Sequence, residues 1–375
     1  MTIPVAGSPV SPSAGSSCPR RRGRQWLFRL LAVALSLLIC LIALEVALRV
    51  LGLGYGNSPH VGHPRFHHWN PTNHSMRVWS PQDEYGGFIA SFNSEGFAME
   101  EELPPPSQDV LLVIGDSFTA AREVPQDERF GELLGERFGL PVVNFGCGSF
   151  SPITERLLLE SYADRVSPRV VVLQLYANDV EGDVNMARMA NVDAKGRIES
   201  VPGSRTPWTV RLGRKVYMVR LARKAWLSHK FAQDREQRGA AQVALEPWAP
   251  YFTKPLDEWF SAEELAPTET ALAEIRDLCR QRGWPLLVFT VPDRGALAEG
   301  KPDYFSEYFR RWAADNQVDF VDLLPAFRQY PARELFYGLD IHFTPLGHRV
   351  TADALADAVS QVLAQDESAD AVDGS

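Results

Sequence analysis

Ser117, Asp340 and His342 are the residues whose types and spacing could do chemistry together. A serine hydroxyl is a poor nucleophile at neutral pH and needs an adjacent base, usually a histidine oriented by an acid. Ser117 stands in Gly115-Asp116-Ser117, directly after five apolar residues, Val110–Ile114. Five of the eight histidines lie between residues 52 and 109, which leaves His229, His342 and His348 as candidate bases. His229 belongs to a basic stretch. His348 follows Pro345 in a helical pattern, where packing or capping is the expectation. His342 stands two residues after Asp340, in a loop before the last helix. That spacing lets both side chains turn to one side, so that the carboxylate accepts from one ring nitrogen while the other faces Ser117. The chemistry would be acyl transfer through serine.

The elements that must position these groups alternate. Val110–Ile114, Pro141–Phe145, Val170–Leu175, Leu286–Val291 and Val318–Leu323 are short, continuous apolar runs. Such runs read as buried strands of a parallel sheet. Helical periodicity separates them in Asp127–Phe138, Ile153–Arg165, Ala262–Arg282 and Tyr304–Asn316, and Pro345–Leu363 follows the last. Strand–helix alternation implies a parallel sheet covered on both faces by right-handed crossovers. The first three strands end in Ser117, in Gly148-Ser149 and in Asn178, so all these residues emerge along one sheet edge. Open α/β sheets place their chemistry at that edge. Asp116 and Asp179 read as loop residues that fix the turns.

Composition narrows the classes. The chain has 375 residues, 45% hydrophobic and 23% charged, with a net charge of −9. That charge argues against nucleic acid as a partner. Four scattered cysteines make no disulfide framework. Thr2–Ser17 reads as disordered. Arg20, Arg21, Arg22 and Arg24 then precede an apolar run from Trp26 to Val50 in which Leu30–Leu44 carries no charge. Those fifteen uncharged residues rise about 22 Å as a helix, and the flanks extend them to the roughly 30 Å of a hydrocarbon core. Glu45 and Arg49, spaced i,i+4, can pair at the far surface. The arginine cluster places the N-terminus in the cytoplasm and the rest outside. With no Ala-x-Ala site closing the run, an uncleaved anchor is expected. The resulting organisation is a tail (1–25), an anchor (26–50), a membrane-proximal linker and edge segment (51–108), a catalytic domain (109–364) with a helical insertion at about 181–260, and a disordered acidic tail (365–375).

Two stretches carry weaker signals. His60, His63, His67, His68 and His74 invite a metal reading, but no cysteine accompanies them and Pro64 and Pro71 break any helix that could align them. No metal and no cofactor is expected. Within the insertion, Val210–Gln233 reads as one helix, and Arg211–Arg238 holds nine basic residues against two acidic ones. The expectation is a solvated lid, with an amphipathic helix on anionic headgroups as the rival.

Taken with their order, these segments resemble the SGNH, or GDSL-type, hydrolases. Gly115-Asp116-Ser117-Phe118 matches the first family block, Asn144–Ser149 resembles the second, Ala177-Asn178-Asp179 is similar to the third, and Asp340-Ile341-His342 resembles the last, with one intervening residue in place of two. Ser149 stands where the second block has glycine, and Tyr176 where the third has glycine. The anchor and the Asn93–Phe97 turn resemble a membrane-tethered bacterial subset. The resemblance implies a flavodoxin-like three-layer α/β/α sandwich with a parallel five-stranded sheet. It implies a triad of Ser117, His342 and Asp340, and an oxyanion hole from the N–H of Ser117, that of Gly148 or Ser149, and the Asn178 amide. The implied function is a membrane-anchored extracytoplasmic serine esterase acting on an ester-bearing small molecule, lipid or glycan. An O-acyltransferase or deacetylase of an envelope polysaccharide, and a non-catalytic scaffold, are the alternatives.

Overall fold

The computed structural model describes residues 20–56, 60–238, 254–297 and 301–373. The chain divides into two units, Met1–Leu51 and Gly52–Ser375. The first contains one helix, Arg20–Val50, of which Arg24–Val50 is long and apolar enough to cross a membrane. Glu45 and Arg49 pair along it at 2.7 Å. Thr2–Ser17, read as disordered, lies outside the described residues, whereas residues 20–25 already belong to the helix.

The second unit is built on a five-stranded sheet with every pair parallel. In spatial order the strands are Asp319–Val321, Leu286–Thr290, Ser167–Leu175, Asp109–Gly115 and Val142–Gly146. Numbered along the chain this is the order 2-1-3-4-5, whose direction of winding reverses between the first and third strands. The apolar runs are buried because helices cover both faces. Val110, Leu112, Val113 and Ile114 have no exposed surface, and neither do Val170–Leu173. Observed strand and helix ends shift by a few residues from the apolar runs, as at Ser167 and Pro152.

Within the expected linker and edge segment, residues 60–92 form strands. His74–Trp79 pairs antiparallel with Gly86–Phe92 and parallel with Tyr55–Gly56, and Val61–His63 pairs with His67–Trp69. Aromatic packing explains this: Trp69 stacks edge-on against Phe66 and Phe97, and Phe97 is stacked on Phe145 of the central sheet.

The insertion is not purely helical. It opens with the helix Asp179–Met189, passes through a hairpin of Asn191–Val192 and Ile198–Ser200, and continues as Trp208–Lys215 and Tyr217–Arg238. The expected single helix breaks at Val216, which is extended; residues 239–253 lie outside the described residues. Arg220 points inward, where its guanidinium donates to the carbonyls of Gly54 and Tyr55, and Lys224 sits 3.8 Å from the centre of the Tyr55 ring. The hairpin is held by charge. Arg156 is fully buried, pairs with Glu160 at 3.1 Å and Glu274 at 2.9 Å, and donates to Ile198 O at 2.6 Å. Arg197 of the hairpin joins the same two carboxylates.

The final helix runs from Pro345 to Asp373. Residues 366–373 therefore continue a helix where the acidic sequence suggested disorder; no glycine or proline occurs between His348 and Asp373 to end it.

Candidate active site

Three neighbouring strands deliver their candidate residues to one edge. Gly115 is paired with Gly146, and Ile114 with Leu173, so Ser117, Gly148-Ser149 and Asn178 leave adjacent strands at their carboxyl ends. Ser117 opens a one-turn helix, Ser117–Ala120, capped by Asp116, whose carboxylate accepts from Phe118 N at 2.9 Å. Gln174 on the neighbouring strand accepts from Asp116 N and from the Thr119 hydroxyl, at 3.1 and 3.0 Å. The turn is tight: a Cβ on Gly115 would lie 2.4 Å from Thr119 Oγ1, so glycine is required there.

Asp340 and His342 lie on a loop closed at its base by the Phe336–Phe343 bridge. His342 Nδ1 is 2.5 Å from Asp340 Oδ1, and the His342 N–H donates to the same oxygen at 3.0 Å. The imidazole is brought to the Ser117 turn by its neighbours there. Its ring packs against Phe118 at 5.0 Å, and Asp116 acts on it electrostatically. His342 Nε2 is buried without a hydrogen-bond partner. Burial opposes charge on His342. The Glu123 carboxylate, 3.8 Å from Nδ1, and the bonded Asp340 outweigh it and raise the pKa to about 9. Burial would lift Asp340, but its bond to His342 and the imidazolium charge hold it at about 2.

Four residues outside the sequence motifs build this pair. Glu84 accepts from the N–H groups of Leu339 and Asp340 at 2.9 Å each, Tyr85 donates its hydroxyl to Asp340 Oδ2 at 3.0 Å, and Arg294 donates to Asp340 O. Glu123 is the fourth. The nearest sequence signal was only that acidic residues follow the Ser117 turn.

The second strand's loop has its own support. Ser149 holds φ +64°, a left-handed conformation that costs a non-glycine residue about 1–2 kcal/mol. This is the backbone that glycine would adopt freely. His68 Nε2 lies 2.8 Å from Gly148 O, while its Nδ1 meets His67 Nδ1 at 2.9 Å. With the Gly148 carbonyl engaged, peptide planarity turns the Ser149 N–H the opposite way. Among the described residues, neither Gly148 N nor Ser149 N donates to a protein group. Asn178 precedes the helix Asp179–Met189, its Oδ1 is a buried orphan, and its side chain lies beside Asp116. Below this edge Asp179 accepts from Tyr176 N at 2.8 Å. Burial pushes Asp116 and Asp183 up to about 6, and Glu155 and Asp179 well above the usual carboxylate range. His348 lies elsewhere: buried, lowered to about 3 by that burial, it accepts from Phe130 N at 3.4 Å.

The histidine segment does meet a cysteine, from across the fold. His60, His68 and Cys147 place one ligand atom each within 4.8 Å of one another, and His60 Nε2 is 3.7 Å from Cys147 Sγ. His63 instead holds a turn, accepting from Arg65 N and Phe66 N.

Residues 113–350 match the sequence profile of the GDSL-like lipase/acylhydrolase family. The chain is 29% identical over 153 residues to the probable alginate O-acetylase AlgJ of Pseudomonas putida, a match that takes in 38% of this chain and 40% of that protein. Among solved structures, TesA is 14% identical with a TM-score of 0.38, over 68% of this chain and 99% of TesA. LAE5, an α/β hydrolase from the metagenome of Lake Arreo, Spain, is 16% identical with a TM-score of 0.37, over 70% of this chain and 99% of its own.

Proposed function

The chain belongs to the GDSL-like lipase/acylhydrolase family, and from that premise we propose that it cleaves carboxylic esters through an acyl-serine intermediate on Ser117. His342 Nε2 takes the Ser117 proton as the hydroxyl attacks the ester carbonyl, and Asp340 holds the imidazole by Nδ1 and stabilises its charge. The N–H groups of Ser117 and Ser149 and the Asn178 amide receive the developing oxyanion. The expelled alcohol leaves with the proton from His342, and a second hydroxyl, that of water, repeats the sequence to free the acid.

The observation that carries this reading is the 2.5 Å Asp340–His342 pair, whose second nitrogen is buried and unpartnered beside the Ser117 turn. The helix Arg24–Val50 anchors the protein as a single-pass membrane protein, and the arginines before it keep the N-terminus in the cytoplasm and the catalytic unit outside.

A second reading, transfer of the acyl group to a polysaccharide hydroxyl, is favoured by the likeness to AlgJ, which is named for O-acetylation of alginate. It uses the same intermediate and differs only in the acceptor. The test is labelling of the detergent-solubilised full chain with a fluorophosphonate, followed by product analysis from an acetyl ester with and without an oligosaccharide acceptor. Labelling that is lost in Ser117→Ala supports the site, and the acceptor's acetylation decides between the readings. Equal labelling of the Ser117→Ala variant would refute the site.

A further inference from the structure

Arg122 is a buried cation with no partner among the described residues. It follows the helix Ser117–Ala120 and the left-handed residue Ala121, is 9% exposed, and its Nη1 is buried without a hydrogen bond. Among the described residues it forms neither a hydrogen bond nor an ion pair. The next residue, Glu123, faces His342 instead. The guanidinium reaches over the oxyanion loop: a Cβ on Gly148 would lie 2.9 Å from Arg122 Nη2 and 3.1 Å from His60 Cε1. His60, His68 and Cys147, across from it, bring no negative charge, and the carboxylates nearby are engaged elsewhere: Glu123 faces His342, and Asp116 caps the Ser117 helix. Burial, then Arg122 itself, keeps His60 well below its ordinary value, burial lowers His68, and burial pushes the Cys147 thiol up.

An uncompensated buried guanidinium is costly, and its planar fork matches a carboxylate through two parallel hydrogen bonds. We propose that Arg122 is the recognition residue for a carboxylate carried by the substrate beside its ester, so that the preferred substrates are acyl esters of acidic sugars and not of neutral ones. The inference rests on the ester-cleaving reading and deepens it by naming the substrate class. Arg122 Nη2 and the His60 ring already stand where a Gly148 side chain would be, so glycine is what lets the guanidinium lie against the loop. A divalent cation on His60, His68 and Cys147 is the competing occupant. It is disfavoured because both His68 nitrogens are engaged and because Arg122 adds positive charge to the same space.

The test uses the solubilised full chain, with monoacetylated methyl glucuronoside and the matching monoacetylated methyl glucoside as substrates. Binding of unacetylated methyl glucuronoside is measured separately by calorimetry. The charged ester should be preferred by about 10- to 100-fold in kcat/KM, the range expected for charge-assisted hydrogen bonds. The difference should lie in KM. Arg122→Gln should erase most of that preference while affecting the neutral ester far less, and Arg122→Lys should keep part of it. Cleavage of both esters without preference overturns the inference, as does an equal loss on both in Arg122→Gln. Stoichiometric zinc binding that disappears in Cys147→Ser also overturns it. Calorimetric binding that depends on Arg122, without turnover of either ester, sustains the carboxylate site and refutes the ester-cleaving reading instead.

Discussion

Two groups of histidines are shifted in opposite directions. His342 comes from the loop before the last helix; His60, His68 and His74 come from the segment ahead of the central sheet. Burial works against the charged form in all four. At His342, Glu123 and Asp340 overcome it and raise the pKa to about 9; at His74, burial and then Arg220 take it down to about 4, and His60 and His68 fall as well. The imidazole is the same in each case, so the neighbouring charges decide. Carboxylates overcome burial at one histidine and make it ready to hold a proton, while burial, with arginines adding to it, lowers the others.

The contrast breaks most visibly at His342. His342→Ala should lower kcat/KM on a short acyl ester by about 10⁴-fold or more, because members of such a triad act as a unit. Steady-state rates normalised to folded protein check this, and near-parent activity would end the assignment.

Glu123→Gln is next. A base works only when unprotonated, so kcat/KM of the parent should rise with pH through an inflection near 9. Removing the Glu123 carboxylate should move that inflection down toward the ordinary imidazole value of about 6.5. The same linkage acts on stability. A folded pKa above the unfolded one contributes stability fully below about pH 6.5, and it is lost as pH rises through 9. Asp340, held at about 2, contributes above the unfolded carboxylate range and loses its share as pH falls through 2. A pH–rate profile of Glu123→Gln that overlays the parent's would show that Glu123 does not set the charge of His342.

The smallest effect is expected at His68. His68→Gln should cost only about 3- to 10-fold in kcat, the worth of one hydrogen bond to the Gly148 carbonyl, and should leave the pH inflection unmoved. A shifted inflection would mean that His68 carries charge, against the lowering that burial imposes on it.

The sheet was legible in the sequence because parallel strands buried on both faces are written as continuous apolar runs, and their terminal residues mark one edge. Asp340 and His342 were legible because their partnership is local, two residues apart. Glu84, Tyr85 and Glu123 were not, since each gains its role only when a distant segment folds back onto the Asp340 loop. The approach of Cys147 to His60, 87 residues apart, was hidden for the same reason: the absence of a nearby cysteine in sequence said nothing about nearness in space. The acidic end of the chain was misread because its charge was weighed above the lack of any glycine or proline to end the helix before it.

Arg156 gives the molecule room to vary. Because desolvated charge, hardly screened by salt, ties the 191–200 hairpin to two core helices, the chain beyond Ser200 starts from a fixed post. Doubling the length of such a loop adds only about 0.6 kcal/mol of closure entropy. Changes of length in that outer segment therefore leave the strand ends that carry Ser117 and Asn178 at their spacing.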